Sequence, residues 1–501
     1  MRKVIDLQMR LGEQSIGDIV LDTKSRDDIP KLLRGLQFIY MTPAVRSVVF
    51  SILEEILPVR KVGGSKKKVD PNTGRPGMTQ WTILVLGVLR LGLNEDYDRI
   101  HELANQHKTV RQMLGHDDWI DETKYELQTI KDNLKLFTPE ILDRINQEVV
   151  RAGHTVLKKS LEDDIVGRCD SFVVETNVHF PTDINLLQDA IRKTMDVCVK
   201  LSDLNGLDGW RNHSYHQRQF KKQYRIVQRL KHSTSKDEDK RQQKQAEIKD
   251  SHRVYLDQAR IHLTRAEQTR KKSPRDCLET TILLQNLDMY MDHARRQIDQ
   301  IDQRVLREEL IPHKEKVFSI FEPHTDWISK GKAGVPVELG LRVCIVEDED
   351  RFILHHKVME KCTDDQVAVP IVDETKKRFP ELCAISMDKG FHSPKNQIEL
   401  KERLECVVLP KKGRLSQKDK EREFEPEFSR LRRQHSAVES AINALEVHGL
   451  DKCLDHGIDG FKRYVALAVV ARNIHRLGAI LRQQDRDKEL RKRGPYNKKA
   501  A

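Results

Sequence analysis

The chain has no cysteine pair at C-x-x-C spacing, no amino-terminal signal-peptide pattern and no apolar run approaching the ~20 residues that span a bilayer. Its eight cysteines are Cys169, Cys198, Cys277, Cys344, Cys362, Cys383, Cys406 and Cys453. Their scatter argues against a zinc site. Several fall inside apolar strand candidates, where a buried, reduced thiol is the plain reading. These absences predict a cytosolic, reducing setting. Strand signals are missing from residues 205–315, where Gln, Lys, Arg and Glu dominate, and acidic residues are few in one part of it. From Arg211 to Arg275 there are 19 Lys and Arg against 7 Asp and Glu, a net +12. That one stretch matches the excess of the whole chain, +11.

What is present bounds the answer further. A chain of 501 residues implies two or three domains, at about 100–200 residues per domain. Charged residues make up 33% and the pI is near 9.1, which points to an anionic partner, nucleic acid first. The concentration of charge in 211–275 exceeds what a solvated helical face needs and points to phosphate contact.

The organising stretch is residues 382–394, LCAISMDKGFHSP. Leu382, Cys383, Ala384 and Ile385 suit a buried strand and are too few for a helix. The run stops at Asp388, and Gly390 and Pro394 follow as turn signals. Open α/β sheets place their chemistry at such strand ends. Two other segments deliver carboxylates. Asp170 interrupts the β-rich segment IVGRCDSFVVET. Glu439 borders a helical stripe of Val438, Ile442 and Leu445. Singly, the three read as a turn residue, a helix cap and a surface helix residue. Jointly, two strand carboxylates and one helix carboxylate suit a two-metal phosphoryl-transfer site, because hard cations such as Mg²⁺ or Mn²⁺ take carboxylate oxygens.

In chain order, residues 1–70 carry mixed helical signals over 29–57 and end in a basic linker, GGSKKKVD. Residues 71–160 are helical, with a core helix over 81–93, and suit DNA binding or dimerisation. A strand with Asp170 and a helix from Thr182 or Asp183 fill 161–204. Residues 205–315 form a basic insertion of long helices. From 316 to 480 the order is two hairpin strands (337–346 and 352–359), helix, the Asp388 strand, helix, strand (406–409) and the Glu439 helix. Without the insertion this is the ribonuclease-H-like order in an α/β fold: a mixed sheet, a long helical insertion after the first strand and a helical N-terminal domain. Residues 481–501 form a disordered basic tail. Lysines and arginines on the expected active edge, Lys389, Lys411, Lys412 and Arg414, are candidate DNA contacts, as are Lys330 and Lys332 before the second strand.

The segments CDSFVVETNVHFPTDINLL, FEPHTDWISKGKAGVPVELG, SMDKGFHSP and HSAVESAINALEVHGLDKC, in this order, resemble DDE-type insertion-sequence transposases of bacteria, most closely the ISNCY group. The resemblance spans roughly residues 70–480. It implies that Asp170, Asp388 and Glu439 form the catalytic triad and hold two Mg²⁺ or Mn²⁺ ions. The intervals are 218 and 51 residues. It also implies double-stranded DNA as partner, a homodimer or higher homo-oligomer, and a bacterial cytoplasm with the protein at the nucleoid. Related transposases carry a Tyr and an Arg before the Glu and a Lys after it; here those places hold Arg432, His435 and Glu446. His435 is left between phosphate contact and packing. A metal-dependent nuclease without strand transfer, and a DNA-binding protein without catalysis, are the alternatives.

Overall fold

The computed structural model describes residues 3–5, 15–56, 59–62, 65–68, 77–116, 122–160, 162–312, 315–329 and 337–492. The chain divides into two compact units. One combines residues 1–177 with 330–501, and the other is 178–329.

The first unit begins with α1 (Ile29–Met41), α2 (Pro43–Glu54), β1 (Val59–Val62), β2 (Ser65–Lys68), α3 (Gln80–Gly92), α4 (Tyr97–Gln106), α5 (Lys108–Met113), α6 (Leu127–Leu134), α7 (Pro139–Val156) and β3 (Ile165–Thr176). The second unit holds α8 (Asp183–Asn205), α9 (His213–Arg229), α10 (Glu238–Lys272), α11 (Leu278–Ile301) and β4 (Asp326–Ser329). The first unit resumes with β5 (Val337–Glu347), β6 (Ile353–Met359), α12 (Asp364–Arg378), β7 (Leu382–Met387), α13 (Pro394–Arg403), β8 (Cys406–Val408), α14 (Gln417–Phe424), α15 (Pro426–His435), α16 (Ala437–Leu445), β9 (Lys452–Cys453) and α17 (Gly457–Lys492).

β3 is central to the sheet. It runs antiparallel to β5, with Asp170 opposite Ile345, and parallel to β7, with Cys169 opposite Met387. β6 closes a hairpin on β5, β8 runs parallel to β7, and β9 pairs with the last residues of β3. The mixed sheet among helices is consistent with the ribonuclease-H-like order read from the sequence. At Gly340 on β5 a Cβ would fall 2.0 Å from the Val174 carbonyl oxygen of β3, so glycine lets the two backbones meet there.

One apolar core runs through α1–α7, the sheet and α17. The helices before β3 are therefore not a separate N-terminal domain, because α17 is the element they bury against. α3 is buried along its whole length, as its lack of a polar face predicts. It starts where the Thr79 hydroxyl accepts the Thr82 N–H. α1 and α17 cross at glycines. A Cβ on Gly478 would stand 1.8 Å from the Lys31 carbonyl oxygen, and one on Gly35 would stand 2.4 Å from the Ile474 carbonyl oxygen. α17 is long and apolar enough to cross a membrane by length and composition, yet 78% of its apolar window is buried inside this unit. Its Asn473 is fully buried and bonds both backbone groups of Ile353 and the side chain of Asn146.

Three boundaries differ from those expected. Residues 65–68 of the basic linker form β2, paired with β1. The helical insertion begins at 178 rather than 205, because Leu187, Ile191, Met195 and Cys198 of α8 are buried in the same core as α10 and α11. The tail is helical to Lys492 as the exposed end of α17. Within the second unit, Phe220 of α9 stacks on Tyr255 of α10 with centroids 4.8 Å apart, and the Trp210 indole donates to the Thr269 hydroxyl.

Candidate active site

The parallel register of β3 and β7 positions the first two carboxylates. Cys169 is level with Met387, so Asp170 and Asp388, each one residue on, leave adjacent strands at the same height. Asp388 follows the last residue of β7 and precedes a short turn, Lys389–Phe391. The buried Phe391 anchors that turn, and the Ser393 hydroxyl accepts the Asn396 N–H to start α13. Glu439 lies in the first turn of α16, whose Val438, Ala441 and Leu445 are buried, and α16 packs on β3. Asp388 and Glu439 are exposed and Asp170 is half-buried.

These carboxylates lie near enough to feel one another's charge. The Asp170 carboxyl is pushed up to about 6, first by burial and then by the negative charges of Asp388, Asp364 and Glu439; the Ser171 N–H, donated to Asp170 Oδ1 at 2.7 Å, opposes the rise. Burial and three neighbouring negative charges both disfavour its ionised form. Such a set of hard oxygen donors fits a divalent cation of the Mg²⁺ or Mn²⁺ type.

Asp364 is the site residue that sequence reasoning missed. It opens α12, and its Oδ1 accepts the Ser171 hydroxyl at 2.7 Å. Arg342 lies 3.5 Å from its Oδ2. A Cβ on Gly390, two residues past Asp388, would come within 3.2 Å of that same Oδ2. Asp364 thus occupies the space between β3 and the turn after β7. In the sequence it reads as an ordinary acidic residue of a helical first turn, next to the Thr363 cap, and no local signal separates the two roles.

His435 ends α15, and Ser436 separates it from α16, so it does not share a continuous helix with Glu439. Its Nδ1 lies 3.1 Å from the Ser386 hydroxyl of β7. Burial lowers its pKa, against the pull of Asp388 and Glu439. The ring therefore packs on the strand that carries Asp388. Among the expected DNA contacts, Lys411 is held internally by Asp419 at 2.5 Å. Lys389, Lys412 and Arg414 are exposed. Lys330 and Lys332 lie outside the described residues.

Among the described residues, three groups of three donor atoms lie within 4.8 Å of one another: Asp28 with His448 and His475, Asp143 with His355 and His356, and His154 with Asp348 and Asp350. None includes Asp170, Asp388 or Glu439. Each is already tied into an ion-paired network, through His475–Asp28, Arg378–Asp143 and His154–Asp348 respectively.

Comparison with curated proteins and with solved structures gave no match. Residues 312–474, about a third of the chain, match the family described as Transposase DDE domain. The matched segment contains Asp364, Asp388, His435 and Glu439, while Asp170 lies upstream of it. This similarity supports a DDE-type transposase, an enzyme of a metal-dependent class that acts on DNA.

Proposed function

We propose that the chain is an insertion-sequence transposase of the ISNCY group. It would bind the ends of its element, cut them, and join the freed 3′-hydroxyl to target DNA, with Asp170, Asp388 and Glu439 as the catalytic carboxylates. The observation that supports this reading is the register that sets Asp170 beside the end of β7, with α16 and its Glu439 packed on β3 and the later part of the chain similar to a transposase DDE domain. Asp170, Asp388 and Glu439 would hold two Mg²⁺ or Mn²⁺ ions, which supply charge neutralisation and activation of the attacking oxygen. The protein's own part is placement. β3 and the end of β7 would supply two of the carboxylates and α16 the third. The exposure of Asp388 and Glu439 leaves the edge open to a duplex. Lys389, Lys412 and Arg414 supply cationic groups for the DNA backbone. Action on paired ends calls for a homodimer or higher oligomer.

The test uses purified full-length protein, Mg²⁺ and a plasmid carrying the sequences that flank the gene. Asp388→Asn is expected to lower end cleavage by about 10²–10³-fold or more while DNA binding persists. Undiminished cleavage by this variant sinks the assignment. Cleavage without joining to a second duplex identifies a nuclease instead.

A further inference from the structure

The helical unit carries one face whose charge its own fold does not neutralise. From Arg211 to Lys236 there are eight Lys and Arg and no Asp or Glu. Within that stretch, Arg218, Lys221, Lys222, Arg225 and Arg229 of α9 recur at the three- and four-residue steps that align side chains along one side of a helix. All five are exposed, and together they line an open concavity of about 840 Å³. Among the described residues, none of the five forms an ion pair.

The neighbouring helix shows that this is not the general state of the unit. α10 is also rich in cations, but there Lys244 pairs with Glu247, Lys249 with Glu308, Arg253 with Asp250, and Arg260 with Asp257. These pairs are what a solvated charged helix forms. α9 instead leaves these cations unpaired on a helix fastened from behind. Phe220 and Val227 are buried, Gln217 bonds Asp196, and the Tyr224 hydroxyl bonds Asn185. The stripe is thus held on a fixed backbone, and its repulsion is left for something else to relieve.

We infer that the outer face of α9 is a docking surface for the phosphate backbone of double-stranded DNA. The eleven steps from Arg218 to Arg229 rise by about 16 Å, the axial length of about five phosphates along one DNA strand. Besides these five, only the aliphatic Ile226 and Leu230 line the concavity, with no aromatic group to stack on a base, so the face reads backbone charge rather than sequence. The choice of DNA over another polyanion rests on the transposase reading.

The experiment measures binding of full-length protein in EDTA to a short fluorescent duplex of random sequence between 50 and 200 mM salt. Three proteins are compared: wild type, the triple variant Lys221→Gln, Lys222→Gln, Arg225→Gln, and the charge-preserving triple Lys221→Arg, Lys222→Arg, Arg225→Lys. Each released phosphate contributes about 0.9 to the slope of log K against log salt. The glutamine triple should therefore flatten the slope by about 2.7, so that wild type loses about 40-fold more affinity than the variant across this range. The charge-preserving triple should keep the wild-type slope. An unchanged slope in the glutamine triple overturns the inference. So does an equal loss in both triples, which would mean a packing role. A glutamine triple that loses binding to vesicles of anionic lipid while keeping its DNA slope overturns it in favour of a membrane. Asp388→Asn is assayed alongside for cleavage. Its failure to abolish cutting strikes the catalytic reading and leaves the salt slope to decide the α9 surface separately.

Discussion

Asp170→Asn should destroy cleavage and, in the absence of divalent ions, make the protein more stable. The Asp170 carboxyl is raised from 3.8 to about 6, by burial first and by three neighbouring carboxylates after it. Each pKa unit corresponds to about 1.4 kcal/mol between protonation states, so the ionised carboxylate costs the metal-free fold up to about 3 kcal/mol. Asparagine removes that charge and keeps an oxygen to accept the Ser171 N–H. The sign follows from linkage: the folded state holds a proton that the unfolded chain releases. The cost is complete above pH 6, shrinks as pH falls and vanishes below 3.8. In EDTA at pH 7.5 the variant should therefore gain stability toward that bound in urea unfolding, and at pH 5 about half as much. Mg²⁺ should raise the unfolding midpoint of wild type and leave the variant nearly unchanged, since a ligand that binds only the folded state stabilises it by mass action. A variant less stable than wild type at pH 7.5, or a gain that ignores pH, would refute the reasoning.

Asp364→Asn removes the fourth negative charge, and the Mg²⁺ concentration for half-maximal cleavage should rise about tenfold with DNA affinity unchanged; an unaltered Mg²⁺ titration would leave Asp364 a helix-start residue only. Asn473→Ala orphans the Ile353 N–H and the Asn146 side-chain oxygen inside the core, and should cost about 2–4 kcal/mol in urea unfolding; a loss below about 1 kcal/mol would be inconsistent with this bonding. Gly478→Ala and Gly460→Ala, both in α17, should move stability in opposite directions. The first forces a methyl to 1.8 Å from a backbone oxygen and should cost about 3 kcal/mol or more. The second meets nothing nearer than 3.5 Å and should gain up to about 1 kcal/mol in helix propensity. Thermal unfolding of the pair checks this.

The strands were legible because their residues are of a kind that belongs nowhere else. Leu382–Met387 and Val337–Glu347 are near-continuous apolar runs bounded by turn residues, and both are strands at those places. Asp388 was visible as the charge that stops such a run. Asp364 was not, because its neighbour Thr363 and the acidic pair it begins read as a helix start whatever else they face. The extent of the first unit was equally hidden. Nothing in residues 81–93 says that their apolar face meets a helix nearly four hundred residues later, and that pairing is what joins the amino-terminal helices to the sheet. The linker at 65–68 misled for a related reason: a run of lysines says nothing of hairpin pairing when the partner strand is equally short and basic.

The insertion also sets a timetable. β3 emerges from the ribosome with Asp170 in place, but its partner Ile345 lies some 175 residues downstream. At about 5–20 residues per second, synthesis of that interval takes about 9–35 s. Bringing the two ends of so long a span together costs about 2.5 kcal/mol more than closing a ten-residue hairpin loop. The helices α8–α11 have their own buried core and can complete it within that delay, taking their residues out of the slack. The sheet then waits further, for β7 and for α16 with Glu439. On the nascent chain, the cationic helical unit is thus a finished body before the cutting residues have a sheet to stand on.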